Sequence, residues 1–206
     1  EGVELEEMAV LYRAHHQSMS LQFEFQNRNI PFQITSGLRF FEQAHIKDVA
    51  AFLRFVTNRR DEVSFKRMAC LLPGIGGKGA DKLWRAWAST VYATSENPPE
   101  RFSEILAGLP VSKKSASHWE QLGHTLDELV VDGEFARPAD MIFSVLEGVC
   151  DEHMREAFDN YENRRSDIEE LMRYADRFED IHECLAQLSL MSAVDGDPGG
   201  SKAERD

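Results

Sequence analysis

The residues best suited to bind a ligand form a glycine-rich segment, residues 72–83, with the sequence LPGIGGKGADKL. Glycines let the backbone turn sharply and leave its amide groups uncovered. Apolar periodicity after the segment predicts a helix, whose first N–H groups lack partners and lie at the positive end of its dipole. The segment is therefore suited to contact a phosphate, with Lys78 adding a mobile charge. A tight connection between two helices would also account for the glycines.

The same segment lacks the full pattern of a nucleotide-binding P-loop. Gly74 and Gly79 have the required spacing, but no Lys-Ser or Lys-Thr pair follows Gly79. Elsewhere, no Ser/His/Asp or Cys/His arrangement has local support. An independent enzyme is therefore the least favoured class of function.

Three cysteines, Cys70, Cys150 and Cys184, are widely spaced and odd in number. This argues against a disulfide framework and favours the reducing cytoplasm. Cys150 with His153, or His182 with Cys184, could be drawn as half of a zinc site. Neither pair has a partner pair at zinc-finger spacing, so we expect no metal site.

The 206 residues carry a net charge of −13, which argues against simple non-specific nucleic-acid binding. The charge is unevenly spread, however. Residues 1–58 hold 5 basic and 7 acidic residues, residues 59–114 hold 10 and 6, and residues 115–206 hold 8 and 23. The basic segment is the one that contains the glycine-rich loop. Because exposed charges more than about 8–10 Å apart are largely screened at physiological salt, an acidic protein can bind nucleic acid on one basic face.

The first 36 residues have a strand–helix–strand pattern. Residues 8–12 (MAVLY) are typical of a strand buried on both faces, residues 17–29 have helical periodicity, and residues 30–35 read as a second strand. Such a βαβ unit cannot bury its sheet alone, so we expect it to be part of a larger α/β domain. Arg13, His15 and His16 follow the first strand, where open α/β sheets bind ligands. A solvated loop charge is the alternative for Arg13.

From residue 37 onward the pattern is helical, so the predicted fold class is mainly α, with a small α/β portion at the N-terminus. Apolar residues from Ile46 to Val56 predict a helix buried over most of its girth. Asp61 and Ser112 are placed to cap later helices. The glycine-rich loop joins two helices, which is the arrangement of a helix-hairpin-helix motif that contacts nucleic-acid backbone.

Five segments, taken in order, resemble the UvrD/Rep/PcrA-type superfamily 1 DNA helicases. They are residues 9–18 (AVLYRAHHQS), 30–32 (IPF), 37–42 (GLRFFE), 46–54 (IKDVAAFLR) and 74–76 (GIG). Order and spacing match over residues 8–92. Residues 164–171 (RRSDIEEL) are a looser match to a further segment of that family.

The resemblance implies a domain organisation and a parent activity. Residues 1–40 would be part of the second RecA-like motor domain, residues 41–190 an all-helical accessory domain inserted into it, and residues 191–206 a flexible linker. The parent would be an ATP-dependent DNA helicase that moves 3′ to 5′ on single-stranded DNA with Mg²⁺, in repair or replication. The family's ATP and Mg²⁺ motifs lie outside this chain, so we expect the chain alone to bind neither and to be inactive.

The resemblance also implies which residues contact DNA. Arg13 matches a residue that holds a single-strand phosphate, and His15 stands where the family often has Asn for a second such contact. Gly74, Ile75 and Gly76 match a loop that contacts the duplex backbone ahead of the junction with the single strand.

Two positions depart from the family pattern in that loop. Pro73 stands where Arg is usual, and Gly79 stands where a capping Thr is common, so phosphate donors are lost at both. Lys78 and Lys82 are expected to compensate as further duplex contacts.

A second hypothesis assigns the helical part to regulation or protein docking. The strongly acidic half after residue 114 suits a basic protein partner. This hypothesis predicts no measurable duplex binding at low salt and a partner whose capture survives loss of Lys78. The helicase hypothesis predicts weak, sequence-independent and salt-sensitive duplex binding instead.

Overall fold

The computed structural model of the chain describes residues 2–13, 17–18, 21–22, 24–25, 28–34, 40–93 and 101–193. The fold is mainly α, as predicted. Over residues 40–93 and 101–193 its α-helices are α1 (Ala44–Thr57), α2 (Glu62–Leu71), α3 (Gly77–Ala93), α4 (Phe102–Ala107), α5 (Ala116–Glu128), α6 (Pro138–Val145), α7 (Asp151–Ala157), α8 (Tyr161–Ala175) and α9 (Ile181–Ala193). A π-helical turn, Leu146–Cys150, joins α6 to α7, and 3₁₀ turns lie at Leu5–Glu7 and Phe40–Glu42. None of the described helices is long and apolar enough to cross a membrane.

The two strands predicted near the N-terminus are not formed in the described residues, which corrects the βαβ prediction. Residues 8–12 and 30–34 pair with no other strand. The apolar run is exposed, and the side chain of Leu11 is 94% accessible. A strand buried on both faces needs hydrogen-bonded neighbours and covering layers, and the described part of the chain supplies neither. Residues 17–18, 21–22 and 24–25 are helical, within the helix predicted over 17–29.

A small antiparallel hairpin follows α5 and was not predicted. Strand β1 (Val130–Val131) pairs with strand β2 (Glu134–Phe135), with Val131 opposite Glu134. Asp132 and Gly133 form the turn, and both have positive φ, 53° and 83°. An Asp-Gly pair with two positive φ angles matches the type I′ turn that favours two-residue hairpins.

The starts and faces of the first helices follow from their sequences. Helix α1 is buried over most of its girth, as predicted, and Phe52, Leu53 and Phe55 are fully buried. Asp61 caps α2 as predicted, because its carboxylate accepts a hydrogen bond from the Ser64 backbone N–H at 3.0 Å. These two helices position the loop that follows α2.

An aromatic cluster forms the core beneath the glycine-rich loop. The ring of Phe65 lies 5.4 Å from Phe55, 5.7 Å from Trp87 and 6.2 Å from Trp119 between centroids. The indole N–H of Trp87 donates to the Arg59 carbonyl at 3.0 Å, so this buried polar group is satisfied. Helices α1 to α5 are joined through this core.

Helix α8, in the acidic half of the chain, packs against α1 around the buried side chain of His45. His45 on α1 lies 3.0 Å from the Asp167 carboxylate and 2.9 Å from the Arg164 guanidinium, both on α8. Nearby, Arg165 pairs with Asp151 and Glu147, which fastens α8 to α7 and to the π-helical turn. The helical part therefore has one continuous core.

Candidate nucleic-acid interface

The glycine-rich loop connects α2 to α3, as predicted from sequence. Gly74 has φ of +80°, a conformation that favours glycine. The side chain of Ile75 is buried, and its backbone N–H donates to the Leu72 carbonyl at 3.2 Å. Ile75 therefore anchors the loop in the core, and its side chain does not face solvent.

The backbone after Ile75 is open. No atom lies within 4 Å of the place where a Cβ would stand on Gly76 or Gly77. The first hydrogen bond of α3 runs from the Ala80 N–H to the Gly76 carbonyl at 2.9 Å, so the N–H groups of residues 77–79 have no acceptor within the helix. These amides can donate to an anion, and the helix dipole favours one there.

Two lysines project from this end of α3. Lys78 and Lys82 are exposed and stand four residues apart, on one face of the helix. Neither forms an ion pair with an acid in the described residues. Asp81, the acid between them, pairs with Lys66 on α2 at 2.5 Å, and the hydrogen bond from Lys66 lowers the pKa of Asp81. The acid in the segment is therefore engaged on α2, and the two lysines remain available to phosphates.

A second basic turn lies against the loop and was missed as a site from sequence. It comprises residues 112–115, in which Lys113 and Lys114 are exposed. The hydroxyl of Ser115 donates to the Pro73 carbonyl at 2.8 Å. The only sequence signal for these lysines is their place in the basic segment 59–114. Ser112 does not occupy the N-cap as predicted, because α5 begins at Ala116 with Ser115 at that position.

The residues predicted to contact single-stranded DNA lie on another segment. Arg13 is exposed, and its backbone N–H donates to the Gln17 side chain at 3.0 Å. His15 lies outside the described residues. The described contacts do not bring Arg13 to the glycine-rich loop, so the two predicted DNA contacts stay separate predictions.

The described residues offer little for catalysis or metal binding. No group of three His, Cys, Asp or Glu side chains is placed to hold a metal ion in the described chain. The three cysteines are free thiols. Burial raises the pKa of Cys184 to about 11 and also raises that of Cys150, which leaves both as thiols at neutral pH.

A small pocket lies behind the loop, with a cavity volume of about 30 Å³. Leu72 and Pro73 line this pocket together with His118, Glu152 and Glu156. This pocket brings the edge of the acidic half next to the loop.

Comparison with known proteins agrees with the motifs. A profile of the UvrD-like helicase C-terminal domain matches residues 1–198. The ATP-dependent DNA helicase PcrA of Staphylococcus epidermidis is 27% identical over 208 residues, which cover 94% of this chain and 27% of that protein. A probable DNA helicase II homolog of Rickettsia felis is 30% identical over 198 residues, 89% of this chain and 28% of its own length.

A shorter similarity is to DNA helicase II of Haemophilus influenzae, 36% identical over 105 residues, 47% of this chain and 14% of that protein. The chain spans about a quarter of the length of the first two relatives. The resemblance seen in the motifs is thereby confirmed. Because the profile covers nearly the whole chain, this protein belongs to the family of UvrD-like helicase C-terminal domains.

Proposed function

We propose that this chain is the DNA-contacting part of an ATP-dependent 3′–5′ DNA helicase, and that residues 74–82 contact duplex backbone without sequence preference. The observation that carries the proposal is the open loop backbone beside Lys78 and Lys82, which form no ion pair within the part of the chain that the structure describes, in the basic segment of an acidic chain. Contacts of backbone amides and lysines with phosphates carry no sequence information. The expected binding is therefore weak and salt-sensitive.

Other parts of the proposal rest on the family. We propose that residues 1–40 belong to the motor domain and residues 41–190 to the accessory domain, and that Arg13 and His15 contact the single strand. ATP and Mg²⁺ would serve the whole helicase. The residues of this chain do not fit them, because the glycine-rich loop lacks the Lys-Ser/Thr pair of a P-loop. No step of ATP hydrolysis is assigned to this chain.

The experiment is a titration of a fluorescent blunt duplex with the chain, followed by anisotropy at several salt concentrations. Changing Lys78 and Lys82 to Ala should weaken binding about tenfold or more and reduce the slope of log K against log salt by about 1.8, or 0.9 per phosphate contact. The matched control changes Lys47 and Arg54, exposed on α1, to Ala. The proposal fails if both variants bind like the unchanged chain.

A protein-docking role is the second candidate, favoured by the acidic charge of residues 115–206. It predicts no duplex binding even at low salt. A basic partner protein would bind instead, equally well to the chain and to the Lys78/Lys82 variant. The duplex titration therefore separates the two candidates.

A further inference from the structure

The turn formed by residues 112–115 is fastened to the glycine-rich loop. Ser115 is fully buried, and its hydroxyl donates to the Pro73 carbonyl at 2.8 Å. A Cβ on Gly74 would lie 3.1 Å from the same hydroxyl oxygen. The turn thus contacts the loop backbone at Pro73 and Gly74, shortly before the open amides of residues 77–79.

The Ser115 hydroxyl is used for the loop and not for its own helix. Ser115 occupies the N-cap of α5, where a serine hydroxyl usually accepts from the first turn, yet it makes no such bond. Its single proton goes to Pro73, so the Ser112 hydroxyl, 3.0 Å away, is the donor to Ser115. Ser115 therefore holds the turn against the loop, and Ser112 hydrogen-bonds to Ser115 within the turn.

The two lysines on this turn are not explained by stability. Lys113 and Lys114 are exposed and form no ion pair in the described residues. They directly precede the N-terminus of α5, where the helix dipole is positive and disfavours cations. An anion bound beside them would reverse that penalty. Duplex backbone held by the neighbouring loop presents phosphates close to this position.

We propose that residues 112–115 form a second phosphate-contact element, in which Lys113 and Lys114 bind phosphates next to those bound by the glycine-rich loop. Ser115 is a positioning residue that fixes the position of the turn relative to the loop. This inference rests on the proposed duplex contact of residues 74–82. The ligand is the sugar-phosphate backbone of duplex DNA.

The first test changes Lys113 and Lys114 to Gln and repeats the salt titration with the same duplex. Binding at low salt should weaken several-fold, and the slope of log K against log salt should fall by about 1.8. The control changes Lys47 and Arg54 to Gln. An unchanged slope overturns the inference. If the Lys78/Lys82 variant still loses binding in that case, the proposed function stands alone; if neither variant changes the slope, both fail.

The second test examines Ser115 through a double-mutant cycle. Ser115→Ala keeps both lysines but removes the hydrogen bond to Pro73, so duplex affinity should fall. In that background, changing Lys113 and Lys114 to Gln should reduce duplex affinity less than in the unchanged chain, because the two lysines are no longer held in position beside the loop. Fully additive effects contradict the positioning role. Should Ser115→Ala not fold, Ser112→Ala, which removes only the donor to Ser115, takes its place in the cycle.

Discussion

The tautomer of buried His45 follows from its partners. A guanidinium can only donate, so the Nδ1 atom that lies 2.9 Å from Arg164 must accept. The ring proton is then on Nε2, which donates to the Asp167 carboxylate at 3.0 Å. Arg164 also lies over the Phe158 ring, 3.7 Å from its centroid. A neutral imidazole thus bridges two opposite charges between α1 and α8.

Changing His45 to Ala should lower the free energy of unfolding by about 3 kcal/mol, because it removes a partner from a buried charged group. Urea unfolding measures the difference. The matched control is His124→Ala, since that side chain is 60% exposed and its contact with Glu120 is 4.0 Å long. The control should change stability by about 0.5 kcal/mol or less. Equal effects of the two substitutions would contradict this account.

Asp48 gives the stability a pH dependence of known sign. Its carboxylate accepts a hydrogen bond from Arg67 at 2.6 Å, between α1 and α2. Burial raises the pKa of Asp48 above its ordinary value of 3.8, and Arg67 opposes that shift only in part. The folded chain therefore binds this proton more tightly than the unfolded chain does. The stability that Asp48 contributes is present below the unfolded pKa and is lost as pH rises through the folded pKa.

Asp48→Asn removes this titration while keeping an acceptor for Arg67. The free energy of unfolding of the unchanged chain, relative to the variant, should therefore decrease as pH rises from about 3 to 7. Urea unfolding at several pH values provides the measurement. A relative stability that increases over this range would mean that the ion pair with Arg67 lowers the pKa of Asp48 by more than burial raises it.

At the scale of elements, the sequence patterns correctly predicted the features that depend on interactions between residues near in sequence. The apolar period from Ile46 to Val56 and the cap at Asp61 were read correctly, because a helix closes its hydrogen bonds within itself. The run MAVLY was read wrongly as a strand, because its hydrogen bonds depend on neighbours that the described chain lacks. The Asp132-Gly133 hairpin was missed although its turn signal is present.

The same distinction between local and long-range contacts applies to the candidate site. The loop between two helices was predicted from sequence, whereas the buried side chain of Ile75 was not, and the duplex contacts of Lys78 and Lys82 stay predictions. The contact of Ser115 with Pro73 joins residues 42 positions apart, so no local sequence pattern predicts it. Lys113 and Lys114 enter the site only through that contact.

The glycines of the loop have different roles, in folding for Gly74 and in the proposed duplex contact for Gly76, and substitution by Ala should distinguish them. Gly74→Ala places a side chain at φ of +80°, 3.1 Å from the Ser115 hydroxyl, and should destabilise the chain by about 1–2 kcal/mol. Gly76→Ala meets no atom within 4 Å and should fold normally. Its methyl group would nevertheless cover the open backbone, so duplex affinity should fall. Thermal unfolding and duplex titration of both variants distinguish the two; weakened folding of Gly76→Ala would refute the assignment.

At the scale of the molecule, the charge distribution limits where the proposed DNA contact can lie. The chain is acidic overall, yet residues 59–114 are basic and carry both the loop and the lysine turn. The acidic half reaches the loop at the pocket that Glu152 and Glu156 line together with Pro73. Exposed charges act over about one Debye length, 8–10 Å at physiological salt. Of the acids in residues 115–206, those at this boundary should therefore oppose phosphates on the loop most strongly.

Neutralising Glu152 and Glu156 together, each to Gln, should accordingly raise duplex affinity at low salt by about two- to fivefold, with the gain shrinking as salt screens it. Glu162→Gln with Glu183→Gln, exposed on α8 and α9, removes the same charge elsewhere. That control should leave affinity nearly unchanged, because those helices make no described contact with the loop. Anisotropy titrations at two salt concentrations compare the pairs. Equal gains would show that net charge governs binding, and a gain confined to the first pair would place the duplex beside Pro73.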